Sequence, residues 1–325
     1  MQPYTDLLKE ILEEGEVQFN QRTGAECKVI VGTQQKYDLR EGFPALTTRK
    51  IPMRSIVGEL IGFFRGYTNA LHFRSVGCKF WDQNANETQS WLDNPARIGT
   101  DDLGRIYGKQ WTSWSDTRII PLAQTMNYID KGYGYIASLS CESKSSRSEP
   151  KVLVGRSINQ LERAVHTIMT NPSDRRIVIT GLNIAELDLM SLPPCHLTYK
   201  FVPMPDSKTM HLVMDMRSMD FYLGTPANIA STAVFLAVVC RLTGYTPATI
   251  TIQGANTHLY ENSYEASKEL ILRTHKVPPQ LVLSEAINPL QSLDEIKGCF
   301  ERINPEDIYL ENYHPDANIA VAMMA

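Results

Sequence analysis

Cys195 stands in the stretch SLPPCHLTYKF, where two prolines stop any preceding helix and hold the entry to a strand extended. A thiol at a strand mouth is a candidate nucleophile once a base or a cation draws it toward thiolate. His196 is adjacent, but successive strand side chains point to opposite faces, so it is badly placed to act as that base. Arg217, in MDMRSMDFYLGTPANIAS, is a cation that the fold could bring alongside. Taken alone, Cys195 reads more readily as a small buried hydrophobe than as a nucleophile. Glu59 lies among Ile56, Val57, Leu60, Ile61 and Phe64. Such a carboxylate either turns out to water or stays inside as a group that handles protons near neutral pH. Arg175 and Arg176 open the apolar run IVITGL. Neighbours on a strand diverge, so both serve one anion only if the chain is irregular there or a second subunit lends them. Arg22 sits on the polar turn NQRTG, and His258 and Tyr260 share one face if THLY continues a strand. Phe80, Trp81 and the segment GRIYGKQW, with Tyr107, offer walls for a flat ligand or plugs for a core.

The elements that must position these residues follow from periodicity. Helical spacing marks residues 4–14, 54–64, 158–170, 229–243 and 262–273, and Gly15 and Gly244 act as stops. Strand signals cover residues 25–32, 36–39, 177–182, 195–202, 210–216 and 248–253, with 195–202 and 210–216 paired through the turn MPDSK and residues 224–228 as a turn before the apolar helix. From 113 to 156 the pattern weakens, and SLSCESKSSRSEP has a surface-loop composition, so a surface insertion is expected within one domain spanning 1–325.

With 325 residues, 43% hydrophobic and 21% charged, the composition is globular. A formal net charge of −4 argues against a broad basic surface for nucleic acid. The six cysteines (Cys27, Cys78, Cys141, Cys195, Cys240, Cys299) show neither CxxC pairs nor zinc spacing, so no metal is expected and they read as reduced thiols in a cytoplasmic setting. The charged, periodic start MQPYTDLLKEILEEGE has no signal-peptide pattern, and the apolar run 229–242 is too short to span a bilayer.

PPCH, RSMDFYLGTPANIAS and THLY, in that order with NQRTG, GFPALTTRK, YGKQW and NPSDRR, resemble the thymidylate synthase family over nearly the whole chain. The resemblance implies a single α/β (α+β) domain on a large mixed, twisted sheet flanked by helices, and homodimers packed sheet against sheet. It implies one-carbon transfer from 5,10-methylenetetrahydrofolate, as co-substrate, to C5 of dUMP, through a covalent adduct between Cys195 and C6. Arg22, Arg217 and Ser218, with Arg175 and Arg176 of a second subunit, match the phosphate positions. Asn228 matches the residue that reads the uracil edge, where relatives acting on cytidylate carry aspartate. His258 and Tyr260 match the pair on the sugar hydroxyl, and Glu59 the proton-managing carboxylate. Asp220, at the junction of nucleotide and folate, matches the carboxylate that anchors the pterin. Trp81, Tyr107, Leu192 and Gly224 match the pocket wall.

Several positions depart from the family pattern. Asn84 and Leu182 replace tryptophans, Met216 a glutamine, Ala227 a phenylalanine, Asn256 an aspartate and Ala320 a lysine. After carbon transfer, an exocyclic methylene on C5 takes either a hydride from the folate or water. Asn84 and Ala227 could admit that water, and the MRS triplet 216–218 resembles phage-type pyrimidine hydroxymethylases. The expectation is therefore a dUMP hydroxymethylase, in a host's cytoplasm if phage-encoded, with a thymidylate synthase of altered supporting shell as the alternative. A silent RNA-binding relative is disfavoured by the acidic balance and by the complete set Cys195, Arg217 and Asn228.

Overall fold

The leading helix α1 (Gln2–Glu14) buries Leu7, Leu8 and Ile11, the stripe its spacing predicts. Strands β1 (Glu16–Asn20) and β2 (Ala25–Asp38) follow, then helices α2 (Met53–Phe64), α3 (Ala70–Ser75), α4 (Asp82–Asn86), α5 (Gln89–Leu92) and α6 (Tyr107–Thr112). Next come β3 (Trp114–Pro121), α7 (Thr125–Ile129), β4 (Gly134–Leu139), β5 (Lys151–Ile158), α8 (Gln160–Thr170), β6 (Val178–Thr180), β7 (His196–Met204) and β8 (Thr209–Asp220). The chain finishes with α9 (Gly224–Thr243), β9 (Thr246–Tyr260), α10 (Tyr264–Ile271), β10 (Gln280–Leu283), β11 (Ile308–Glu311) and an extended tail. This computed structural model describes residues 1–21, 23–139 and 150–324.

The main sheet runs β1-β2-β9-β8-β7-β6. Its strands are antiparallel except for β8 and β9, which pair in parallel, with α9 as the crossover between them. The result is the mixed sheet of an α/β domain. Helix α9 is buried nearly all round, from Ile229 through Leu242, and Gly244 closes it in the left-handed region at φ 72°. It is long and apolar enough to cross a membrane by composition alone, but 83% of that window is buried in the protein, as in a core helix. Phe235 of α9 meets Trp111, Tyr199, Phe201 and Phe64, which ties α6, β7 and α2 to one core.

Four expectations change. Residues 224–228 are the opening of α9, because a proline in the first turn loses no intrahelical bond and Pro226 is tolerated there. The apolar run 229–242 is accordingly part of a helix of 20 residues, longer than it looked. The two strand signals at 25–32 and 36–39 join into one strand of 14 residues paired along β9, because the polar stretch between them keeps the ladder, with Gln35 buried and Gln34 exposed on alternate faces. The weak region 113–156 holds a separate antiparallel sheet, β3-β5-β4, over a small cluster of Ile120, Tyr133, Val152 and Val154. With only one face of it buried, its alternation was too faint to read. Residues 140–149, most of the Ser-rich stretch, lie outside the described residues.

Candidate active site

Cys195 sits one residue before β7, at the floor of a cavity of about 720 Å³. Its main-chain N–H donates to the Tyr107 hydroxyl at 2.6 Å, and its carbonyl accepts from the N–H of Arg217 at 3.0 Å. The Arg217 guanidinium donates to the carbonyls of Pro194 and Pro193, each at 2.8 Å. Arginine, tyrosine and the two prolines thus fix the backbone that presents the thiol.

Tyr107 is buried against Phe63 of α2, stacked at 5.1 Å, and burial pushes its phenol well above the ordinary value. It acts here as a neutral hydrogen-bonding group. Gly108 makes this approach possible: a Cβ there would lie 2.5 Å from both Cα and O of Phe63.

Asn228, in the second turn of α9, enters the same cavity. Its Oδ1 is 3.0 Å from Nε2 of His196, whose Nδ1 is 3.0 Å from the Tyr199 hydroxyl. Burial holds His196 down at about 4, so it is neutral at pH 7. A neutral imidazole that accepts from Tyr199 must donate to Asn228, and this fixes the amide with its NH₂ on the other side. His196 therefore orients Asn228, consistent with its not serving as the base for Cys195.

Glu59 is partly buried and lines the cavity, and its Oε1 accepts from the Trp81 indole N–H at 3.0 Å. Burial raises its carboxyl to about 7, against the smaller opposing effect of that hydrogen bond. Asp220 lies at the end of β8, where Oδ1 accepts from the N–H of Leu223 at 3.2 Å, and burial pushes this carboxyl up as well. A Cβ added at Gly224 would be in ordinary van der Waals contact with Asp220 at 3.7 Å and Asn228 at 3.8 Å, so the glycine packs directly between those side chains.

The remaining expected residues divide into four groups. Trp81, Asn84, Leu192, Met216, Ser218 and Ala227 line the cavity with those above. His258 and Tyr260 are buried on β9 with their rings 5.0 Å apart, and His258 lies opposite Asp220 across the parallel β8/β9 pair. Oδ1 of Asn256 accepts from Nδ1 of His258 at 2.9 Å. Arg175 and Arg176 are exposed ahead of the edge strand β6, where Arg176 forks onto Asp174 at 2.9 Å through both Nε and Nη2, and neither lines the cavity of its own chain. Arg22 lies outside the described residues.

Sequence reasoning passed over some of the lining. Arg49 is buried over the Tyr222 ring, with its guanidinium carbon 4.5 Å from the ring centre, and it lines the cavity with Lys50. Two adjacent cations after an otherwise apolar segment, ALTTRK, were the available signal. Asn318, Val321 and Met323 of the tail complete the wall, and nothing in their residue types announced it.

The thymidylate synthase profile matches residues 2–325. The chain belongs to the thymidylate synthase family. It is 39% identical over 329 residues to a thymidylate synthase of Pseudomonas syringae pv. tomato, covering 99% of this chain and all of the relative. One from Bordetella parapertussis is 38% identical over 327 residues, with 99% of each chain covered. One from Idiomarina loihiensis is 33% identical over 296 residues, covering 90% of this chain and 91% of the relative. As a member of this family the chain is a folate-dependent one-carbon transferase that uses methylenetetrahydrofolate as co-substrate. The donor set of the cavity fits such a molecule: the Asp220 carboxyl can accept from ring N–H groups, and Trp81 and Leu192 give a flat ligand an apolar wall.

Proposed function

We propose that this chain is a thymidylate synthase that converts dUMP and methylenetetrahydrofolate to dTMP and dihydrofolate. The observation that carries the reading is the convergence of Cys195, Asn228, Glu59 and Asp220 on one cavity whose wall has an apolar part, Ile51, Phe63, Phe80, Trp81, Leu192, Leu223 and Val321, beside the polar Arg49, Lys50, Asn84, Ser218 and Asn318. An apolar wall of this kind keeps water from a reactive methylene. The full-length relatives carrying the name thymidylate synthase support the same choice.

Cys195 supplies an electron pair to C6 of the uracil ring, which makes C5 nucleophilic. Asn228, held by His196, donates its NH₂ to O4 and accepts from N3–H. The folate supplies the one-carbon unit and, in this route, the hydride that completes the methyl group. Glu59, with its proton affinity near neutrality, gives and takes protons around O4 and the transferred carbon. Loss of the C5 proton and departure of Cys195 from C6 restore the ring. Ser218 and Arg217 hold the phosphate with Arg22, and His258 and Tyr260 meet the sugar. A homodimer would add Arg175 and Arg176 of the partner subunit, which explains two exposed arginines remote from their own cavity. Exposed Val178 on the edge strand β6, with Val202 and Met204 on its neighbour β7, gives such a partner an apolar footing.

The dUMP hydroxymethylase reading stands second, favoured by Asn84, Met216 and Ala227 all lining the cavity. Asn84 could hold a water that attacks the methylene, releasing tetrahydrofolate unoxidised. One incubation separates the two. Dihydrofolate formed in step with dTMP supports the synthase, whereas hydroxymethyl-dUMP without folate oxidation overturns it in favour of water. Cys195→Ala should abolish either product, and full residual turnover would refute the covalent route.

A further inference from the structure

The structure assigns a positioning role to Arg74 and Asp101: they clamp the short helix α4 so that Trp81 and Asn84 stand correctly on the folate side of the cavity. Helix α4 has five residues, too few to hold its place by its own hydrogen bonds. Asp82 and Asn86, four apart, share one of its faces, and Asn84, two residues from each, lies on the other and lines the cavity. The outer face is tied down by side chains from two other segments. Arg74, from α3, donates to Asp82 at 2.8 Å and forks onto Asp101 at 3.0 and 2.6 Å. Asn86 and Asp101 exchange two bonds: the Asn86 side-chain NH₂ donates to Oδ1 of Asp101 at 2.8 Å, and the Asp101 main-chain N–H donates to the Asn86 side-chain Oδ1 at 3.0 Å.

Asp101 is bound at every polar group, since its own carbonyl accepts from the N–H of Ala70 at 2.8 Å. It does this at φ 63°, a left-handed conformation that a side chain rarely adopts unless its surroundings over-determine it. The bonds of the clamp supply that over-determination. Their effect reaches the chemistry through Trp81, the residue just before α4, whose indole N–H ends on Glu59 at 3.0 Å. One outer network thus places both the Asn84 amide and the hydrogen bond on the proton-handling carboxyl.

The inference rests on the folate-binding reading above, and the experiment keeps the two apart. Arg74→Met keeps the apolar stem and removes the fork; Arg74→Lys restores one charge-assisted bond. In the full-length protein, Arg74→Met should raise KM for methylenetetrahydrofolate about tenfold while KM for dUMP stays within about twofold, with Arg74→Lys in between. A structural defect alone would raise both or lower only the active fraction. Should Arg74→Met fail to fold, Asp101→Asn, which tolerates the same backbone and loses the anionic end of the fork, takes its place with the same expected split.

A second readout needs no turnover. Tryptophan fluorescence, taken as the difference from Trp81→Phe, titrates with Glu59 near pH 7 and should titrate higher in Arg74→Met. Other titratable groups near Glu59 are Cys78, Tyr107 and Tyr199, all pushed up by burial and neutral in that range. Arg49 and Lys50 also stand on the cavity wall; Asp220, the other carboxyl there, is left intact in every variant. If wild-type protein turns over but the variants keep both the folate KM and this midpoint, the clamp has no positioning role. If wild-type protein shows no folate turnover, the functional reading fails, and an unmoved fluorescence midpoint would then overturn the clamp as well.

Discussion

Trp81→Phe tests whether Glu59 is the group that sets the pH dependence of turnover. The substitution keeps an aromatic ring against Phe63, Phe73 and Tyr107 and deletes the indole N–H that Glu59 accepts at 3.0 Å. That bond favours the ionised carboxylate, and burial, the larger influence, favours the neutral acid and brings the group to about 7. A hydrogen bond to a charged group contributes about 1.5–3 kcal/mol. Cavity water would replace part of it, which leaves about 1.4 kcal/mol, or about one pH unit. The midpoint of kcat against pH should therefore move up by about one pH unit from a wild-type value near 7. Steady-state rates with saturating dUMP and methylenetetrahydrofolate, from acid to alkaline buffers, give the two midpoints directly. An unmoved or lowered midpoint in the variant would refute the reasoning, because no group other than Glu59 loses a bond.

Glu59→Gln should also change stability in a pH-dependent way. The folded carboxyl titrates at about 7 against an ordinary value of 4.5, so the native state binds the proton more tightly and loses stability as pH rises through that interval. At about 1.4 kcal/mol per pH unit the loss is about 3 kcal/mol at most, reduced by the exposure Glu59 keeps toward the cavity. Thermal melts should show the glutamine variant gaining on wild type above pH 7 and matching it near pH 4. An equal difference at both pH values would count against a buried neutral acid. Asn228→Asp should shift base preference from uracil toward cytosine nucleotides by about tenfold, measured as a ratio of kcat/KM, and an unchanged ratio would mean the base is read elsewhere. Gly108→Ala should cost about 2 kcal/mol in urea denaturation, because its Cβ would meet the backbone of Phe63, and activity should fall with it as Tyr107 shifts.

The sequence by itself determined the elements whose signals are local. Leu7, Leu8 and Ile11 made α1 legible, the β-branched runs marked β6 and β9, the turn MPDSK between two strand-like segments marked β8, and PPC marked the mouth of β7. It also supplied the residue types of the site, since Cys195, Asn228, Glu59 and Asp220 stand in stretches distinctive enough to name together. The joining of distant stretches was left to the tertiary structure. Glu59 could have faced water or the interior from its place in the stripe, and the packing of α2 against Trp81 decided for the cavity. Arg217 directs Nε and Nη2 to Pro194 and Pro193, and His196 turns to Asn228, because strand pairing and the helix crossing set those distances. The β3-β5-β4 sheet escaped detection for the converse reason: a thin sheet with one buried face leaves little period to read. Local pattern follows from bonds between near neighbours. The proton affinity of Glu59, the orientation of Asn228 and the clamp on α4 depend on groups far apart in the chain, whose meeting only the packed fold specifies.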